Sequence, residues 1–572
     1  MNYKVTYNNW LTEPKITAEA LEELSAIKDN EKEIEYRFGA ELQFGTAGMR
    51  GLIGYGTNMI NVYTVRRATK GLAEYIKTLG STAMRRGVAI SYDTRKYSEL
   101  FARETAGVLL ANGIRVYAFK KASPVPMLSY AVRHYGCIAG VMITASHNPK
   151  EYNGYKVYGE DGAQMSPEAT SKVVEFISQV KDYFAIESNT IIDFKNRGEL
   201  SIIGGSFDRL YVRTLKKLSL SKKAVKKYGK KLKIVYTPLH GTGFRPMTML
   251  LKKLGINYTV VEEQIVEDSA FSTVEVPNPE NKEAMTLGIN LANKIKADVV
   301  FGTDPDSDRL GVAIRNDKGE FINLTGNQVG VLLTDYILRR LTKEKKLPSN
   351  GAIIKSFVST GMVKPICEDY GVNLVEVPVG FKFIGEKIKQ YEQDGSGTYL
   401  FGFEESCGYL RGTHARDKDA VVAGMLFAEM VCYYEYNGTN VYKVLNALYE
   451  KYGYVLDDTV SIKYQGLSAM ADMTAVVDKL RNTEIKKLDV YNVVATRNYL
   501  SGIRTNSDGE QEKMEISGIN CVYYELEIGG FICVRPSGTE PKLKIYYSVK
   551  GKDKPIAEKA LDKISKAFKK YL

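Results

Sequence analysis

Cys137-Ile138-Ala139-Gly140-Val141-Met142-Ile143, running straight into Thr144-Ala145-Ser146-His147-Asn148-Pro149, is the stretch from which the fold is read. The first seven residues are small or apolar without a break, which suits a strand buried on both faces. The polar segment behind them is bent by Asn-Pro, so the Ser146 hydroxyl stands at the end of a buried strand, on a turn. An isolated serine in such a place bonds its own turn. Its wider meaning depends on whether the same pattern occurs elsewhere.

It does. Gly87 to Tyr92 leads into Asp93-Thr94-Arg95, and Arg115 to Phe119 into a proline-containing loop, before the stretch above. Further on, Leu232 to Tyr236 leads into Pro238-Leu239-His240-Gly241, Tyr258 to Val261 into Glu262-Glu263, and Asp298 to Phe301 into Asp304-Pro305-Asp306-Ser307-Asp308. A third set follows: Ala352 to Ser356 before Ser359-Thr360-Gly361, Asn373 to Val377 before Pro378-Val379-Gly380-Phe381-Lys382, and Thr398 to Phe401 before Phe403-Glu404-Glu405-Ser406. Helix-like segments such as Leu100 to Asn112, Ala284 to Lys294 and Gly361 to Tyr370 separate the runs. Strand–helix alternation predicts parallel sheets covered by helices, with ligands gathering at the carboxyl ends of strands, where these polar loops fall. From Val490 onward the alternation stops. Val490 to Thr496, Cys521 to Leu526, Gly530 to Arg535 and Leu543 to Ser548 read as strands, and Pro555 to Tyr571 as an amphipathic helix. The expected fold class is α/β: three similar α/β domains with mixed, mostly parallel sheets, then a C-terminal α+β domain into which Tyr454 to Lys486 bridges.

Bulk properties narrow the function classes. A chain of 572 residues is too long for one core, and 44% hydrophobic with 26% charged residues is an ordinary globular balance. No apolar run approaches the roughly 18 residues that span a bilayer, and Met1-Asn2-Tyr3-Lys4 lacks the apolar core of a secretory signal. A cytoplasmic protein with no membrane partner is expected. Six scattered cysteines without a CxxC, and four histidines, speak against disulfides and zinc. The net charge of +12 comes partly from Lys-rich runs at Lys222 to Lys231, Lys343 to Lys346 and Lys563 to Lys570, which read as solvated faces far apart. No nucleic-acid motif accompanies them, so nucleic acid is not the expected partner, whereas a basic field suits small anionic substrates.

Several loops carry recognisable chemistry. Asp304, Asp306 and Asp308 repeat at every second residue beyond a buried strand. Three carboxylates on one side of an extended segment repel one another unless a cation neutralises them, and all-oxygen ligation suits Mg²⁺ or Ca²⁺. An EF-hand is excluded because its sixth position is Arg309 rather than Gly and its twelfth is Arg315 rather than Glu. Arg535-Pro536-Ser537-Gly538-Thr539 offers a guanidinium, two hydroxyls and backbone N–H groups to a phosphate. A Walker A loop is absent: Gly380 to Lys387 has Glu386 before its lysine. Glu404, Glu405 and Ser406 suit the hydroxyls of a polyol. Lys156 is a possible proton carrier, and Arg50, His147 and Arg309 can face an anion.

Taken together, these segments resemble the α-D-phosphohexomutase superfamily. TASHNP at 144–149 is similar to its phosphoserine loop, DPDSDR at 304–309 to its metal loop, FEESCG at 403–408 to its sugar loop and RPSGTEPK at 535–542 to its phosphate loop. FGTAGMRG at 44–51 and NGYKVY at 153–158 also match, in the family's order. FEES with DPDSDR and the long chain are most similar to the phosphoglucomutase branch, which also contains phosphopentomutases. Pro305 and Ser307 stand where Gly or Ala is commoner, between the carboxylates, and Cys407 where another apolar residue is common.

The resemblance implies four domains around a central cleft: residues 1–205 for the phosphoserine, 206–320 for the metal, 321–455 for the sugar, and 456–572 for a linker and the phosphate. It implies a phosphoserine at Ser146 and Mg²⁺ on Ser146, Asp304, Asp306 and Asp308. Arg50, His147, Lys156 and Arg309 serve the transfer, with Lys156 the first candidate for the proton and His147 the reserve. Glu404 and Ser406 read the sugar, while Arg535, Ser537, Gly538 and Thr539, helped by Lys382, hold the non-reacting phosphate. The implied reaction interconverts glucose 1-phosphate and glucose 6-phosphate through glucose 1,6-bisphosphate, which also serves as activator, in a monomer or weak homo-oligomer. A phosphopentomutase or phosphomannomutase is the alternative, and a silent sugar-phosphate-binding protein a remote one.

Overall fold

In the computed structural model of the protein, residues 2–45, 48–188, 198–464, 469–537 and 542–572 are described. The Cys137 to Ile143 run forms the strand Ala139–Ile143, every residue of it buried. It lies parallel to Val88–Tyr92, which in turn pairs in parallel with Val116–Phe119, and that strand with Leu200–Ile203. Helices Ser98–Ala111 and Val125–Tyr135 connect these strands. Parallel neighbours cannot be joined by a hairpin, and these helical crossovers supply the longer connection they need. On the other side the sheet turns antiparallel: Tyr152–Gly159 folds back along Ala139–Ile143, and Gly48–Leu52 pairs with Tyr152–Gly159. The six strands have a mixed order because the segment after Ser146 returns directly instead of through a helix.

A second sheet repeats the scheme. Lys233–Thr237 is flanked in parallel by Asn257–Val260 and Val299–Thr303, and Leu310–Arg315 and Phe321–Leu324 then add antiparallel strands. The N-terminal residues carry no strand–loop pattern and form helices Tyr3–Leu11, Ala18–Ala26 and Glu31–Phe38. Trp10 and Phe38 dock edge-to-face, 5.5 Å between ring centroids, within the core of the first sheet. Both sheets belong to one compact unit, Met1–Leu324 with Ile384–Gly395 and Cys407–Tyr436.

The other unit comprises Thr325–Phe383, Ser396–Ser406 and Asn437–Leu572. In it Gly351–Ser356 stands between Asn373–Val377 and Thr398–Glu404, parallel to both. Helix Gly326–Lys343 begins in a capping box in which the Thr325 and Gln328 side chains each bond the other's backbone N–H. The C-terminal sheet is antiparallel, in the order Tyr454–Lys463, Lys542–Gly551, Gly530–Pro536, Val522–Leu526, Tyr491–Asn498, Ile503–Asn506, Gln511–Lys513. Ile564 and Phe568 of helix Lys554–Phe568 and Val477 and Leu480 of helix Ala469–Arg481 fill its core. Tyr454–Lys463 is therefore more than a bridge: it pairs along its whole length with Lys542–Gly551.

The fold class is that of three α/β domains followed by a β-rich C-terminal one. All six cysteines are free and buried. No helix among the described residues is long and apolar enough to cross a membrane.

Candidate active site

Ser146 is buried, with 4% of its surface exposed, and its backbone is left-handed at φ 54°. That conformation costs a residue with a Cβ about 1–2 kcal/mol, so surrounding contacts must hold it. The Oγ donates to Asp304 Oδ2 at 2.9 Å and lies 3.2 Å from His147 Nδ1. Arg50, on the strand Gly48–Leu52, donates to Asn148 Oδ1 at 2.9 Å in the same loop. Thr46 and Ala47 of the same N-terminal motif lie outside the described residues.

Asp304, Asp306 and Asp308 converge with one carboxylate oxygen each within 4.8 Å of the others, all buried. The cause differs from the alternation of an extended segment. Ser307 is left-handed at φ 53°, and its N–H donates to Asp304 O at 2.9 Å, closing a turn that gathers the three side chains inward. Asp304 Oδ1 caps that turn by accepting from the N–H groups of Asp308 and Arg309, at 3.1 and 3.0 Å. The loop is pressed from outside by His240-Gly241-Thr242: Thr242 donates twice to Pro305 O, and a Cβ on Gly241 would stand 2.5 Å from Pro305 Cα.

Two lysines enter the cluster. Lys156 Nζ is 2.9 Å from Asp306 Oδ2, brought there by the antiparallel return strand, whose register pairs Lys156 with Met142. Lys418 Nζ is 3.0 Å from Asp308 Oδ2 and 3.1 Å from Asp417 Oδ1. Burial raises Asp304 well above the ordinary carboxylate value, and repulsion from Asp306 and Asp308 adds to it. Burial and Asp306 raise Asp308 as well. Burial pushes the same way on Asp306, but Lys156, the contact with Asp304 and the charge of Lys418 together outweigh it and hold that carboxylate down. Arg309 is turned to Glu280, with its Nε 3.9 Å from Asp308 Oδ1.

The residues fit a hard divalent cation. Two buried carboxylate oxygens, Asp306 Oδ1 and Asp308 Oδ1, lack a hydrogen-bond partner, and a hydroxyl already touches the third aspartate. Oxygen donors alone, three of them anionic, match Mg²⁺.

In the other unit, Glu404 Oε1 accepts from the Gly380 N–H at 2.8 Å, which ties the end of strand Thr398–Glu404 to the turn before helix Phe381–Asp394. Glu405 accepts from Ser356 Oγ at 3.0 Å, so this second carboxylate anchors its loop to the neighbouring strand. Ser406 follows it, partly exposed. Lys382 lies over the Phe383 ring at 4.9 Å. Arg535 sits in strand Gly530–Pro536, and Ser537 N–H closes the following loop on Lys542 O at 2.8 Å. Gly538 and Thr539 lie outside the described residues.

Sequence reasoning missed Lys418 and the buried group of Asp93, Arg95 and Thr144 beneath Ser146. The signal for Lys418 was the charged run Arg416-Asp417-Lys418-Asp419, and Asp93-Thr94-Arg95 ends a strand beside the Ser146 strand.

Residues 41–184, 209–319 and 325–452 match the family models for phosphoglucomutase/phosphomannomutase alpha/beta/alpha domains I, II and III. A phosphoglucomutase of Staphylococcus saprophyticus is 34% identical over 92% of this chain and 94% of its own length. A Staphylococcus aureus phosphoglucomutase is 35% identical over 91% and 92%. Among solved structures, parafusin (phosphoglucomutase) from Paramecium in its open form has a TM-score of 0.67 at 17% identity, covering 93% of this chain and 94% of that one. A phosphoglucomutase/phosphomannomutase family protein from Burkholderia thailandensis has a TM-score of 0.66 at 17% identity, covering 92% and 97%. With its three matched domains and its relatives aligned over nearly their full length, the chain belongs to the phosphoglucomutase/phosphomannomutase family and is a phosphohexomutase, an isomerase that works by phosphoryl transfer.

Proposed function

We propose that the protein interconverts α-D-glucose 1-phosphate and glucose 6-phosphate, with Ser146 carrying the phosphoryl group and glucose 1,6-bisphosphate as both intermediate and activator. The observation that carries this reading is the Ser146 hydroxyl 2.9 Å from Asp304 in a buried cluster of three carboxylates. A buried serine among acids gains nothing as a protease-like nucleophile, but it suits a phosphate relay, whose transition state needs positioning and positive charge. Asp304, Asp306, Asp308 and Ser146 would hold Mg²⁺, which when bound supplies positive charge to the phosphoryl oxygens.

In the forward step a sugar hydroxyl oxygen attacks phosphorus, the bond from phosphorus to Ser146 Oγ breaks, and one proton passes from the sugar hydroxyl, through a carrier group, to the departing Oγ. Lys156 is the assigned carrier, supported by its place on Asp306, and His147 the reserve, supported by its distance from Ser146 Oγ. The bisphosphate then presents its other phosphate and the step runs in reverse. Arg50 and Arg309 add cationic charge. Glu404 and Ser406 accept from and donate to the sugar hydroxyls, and Arg535, Ser537, Gly538 and Thr539, with Lys382, hold the phosphate that does not react. The division of the chain into 1–205, 206–320, 321–455 and 456–572 is part of this proposal.

Incubation with glucose 1,6-bisphosphate and Mg²⁺, followed by intact-mass analysis, tests it. One phosphoryl group is expected on the wild type and none on Ser146→Ala, with mutase turnover lost in the variant. Full turnover by Ser146→Ala sinks the mechanism. Assays on mannose 1-phosphate and ribose 1-phosphate beside glucose 1-phosphate test the substrate; faster turnover of either sinks glucose.

A further inference from the structure

The reacting hydroxyl is aimed by a loop whose backbone is held almost entirely from below. Arg95, its side chain fully buried, donates from Nη2 to the carbonyl of Ser146 at 2.6 Å and to that of Asn148. From Nη1 it donates to Pro149 O at 2.8 Å and Tyr152 O at 3.1 Å. One planar fork thus gathers four carbonyls between Ser146 and Tyr152, a geometry an ammonium group lacks. Its guanidinium carbon lies 5.0 Å from the centroid of the Phe271 ring, and its Nε stands 3.3 Å from Asp93 Oδ2.

A second chain of contacts meets the first at Asp93. The Ser146 N–H donates to Thr144 Oγ1 at 2.8 Å, and that hydroxyl donates in turn to Asp93 Oδ2 at 2.6 Å. Asp93 Oδ1 accepts from Ser98 Oγ at 2.6 Å and from the Arg95 N–H at 3.0 Å. Both the N–H and the C=O of Ser146 are therefore held by side chains that converge on one buried carboxylate. A left-handed serine persists only where its surroundings over-determine it, and these contacts do so.

We infer that Arg95 and Thr144 are positioning residues for phosphoryl transfer: they clamp Ser146 by its backbone in the left-handed conformation that aims Oγ at Asp304. This rests on the reading of Ser146 as the phosphoryl carrier. Neither residue donates to the Ser146 oxygen that reacts. Their effect falls on the rate of transfer rather than on sugar affinity, because a misaimed nucleophile loses rate while substrate binding persists.

The full-length Arg95→Lys, Thr144→Val and Thr144→Ser variants test this with two readouts. Hydrogen exchange of a peptide spanning Thr144 to Tyr152 reports the clamp without any turnover. Arg95→Lys and Thr144→Val are expected to exchange there at least ~10-fold faster, with a peptide from strand Asn373–Val377 unchanged as the folding control. Single-turnover transfer from glucose 1,6-bisphosphate to Ser146 is expected to slow by roughly 10- to 100-fold in both, with KM for glucose 1-phosphate within about threefold of wild type. Thr144→Ser, which keeps the hydroxyl, recovers most of the rate. Unchanged exchange at the loop overturns the clamp, and so does a Thr144→Val that transfers at the wild-type rate. A wild type that takes no phosphoryl group overturns the carrier reading instead, while the exchange result still decides the clamp.

Discussion

At Gly154 the return strand passes so near the Ser146 loop that an added Cβ would stand 2.4 Å from Thr144 O and 3.0 Å from Met49 O. Both neighbours are backbone atoms and cannot swing aside. Gly154→Ala must push Thr144 away, and with it the hydroxyl that accepts from Ser146 N–H. The expected cost is about 1–3 kcal/mol of stability from overpacking, with turnover down ~100-fold because the aim of Oγ shifts. Thermal unfolding and kcat measured together check it, and a variant matching wild type in both would show that the strand can yield. At this scale the sequence was partly legible. Asp304, Asp306 and Asp308 are close in sequence as well as in space, so their cluster could be read directly. The charged run at 416–419 marks Lys418 but not its partner, because Asp308 is remote in the chain and only tertiary packing joins them.

Strands of the C-terminal sheet show the same dependence on pairing. Register sets Arg497 directly opposite Arg504, a like-charge pair that costs stability unless something neutralises it. Glu525, on the next strand, does so: its Oε1 accepts from Arg497 Nε at 2.6 Å and Arg504 Nε at 2.7 Å, and Oε2 from Arg504 Nη2 at 2.9 Å. Burial raises the Glu525 carboxyl, but the two guanidinium groups outweigh it and the net shift is downward from 4.5. A carboxylate whose folded value is depressed stabilises the protein above its unfolded value, and the contribution is lost as pH falls through the folded one. Glu525→Gln is thus expected to cost about 1–2 kcal/mol near neutral pH. The gap to wild type should close in acid, followed by denaturant midpoints across an acid titration. A gap constant with pH would mean that the glutamate acts through packing alone. The strands themselves were legible where a buried run of small and apolar residues is unbroken, as at Ala139–Ile143. They were not at Leu310–Arg315 or Tyr152–Gly159, because a strand that returns antiparallel beside its neighbour needs no helix to announce it.

Across the whole molecule, the chain divides into two compact units, and the three carboxylates lie in the one built on Met1–Leu324. The reading of three α/β domains and a β-rich end holds because each repeat carries its own buried runs. The grouping into two units was not legible, because nothing local in Thr325 or Cys407 says which core its segment joins. That grouping has a thermodynamic consequence. A cation bound by the folded cluster stabilises whatever cooperative unit must open to release it, by about 2.7 kcal/mol when its concentration is 100 times Kd. If the units open independently, Mg²⁺ slows exchange in strand Val299–Thr303 by ~100-fold at that concentration, while the strand Gly530–Pro536 of the other unit keeps its rate. Asp306→Asn removes an anionic donor from the cluster and should abolish the slowing. Exchange measured with and without Mg²⁺ on the full chain decides it. Equal slowing in both strands would show the two units opening as one, and none in either would show that the three aspartates do not hold the ion.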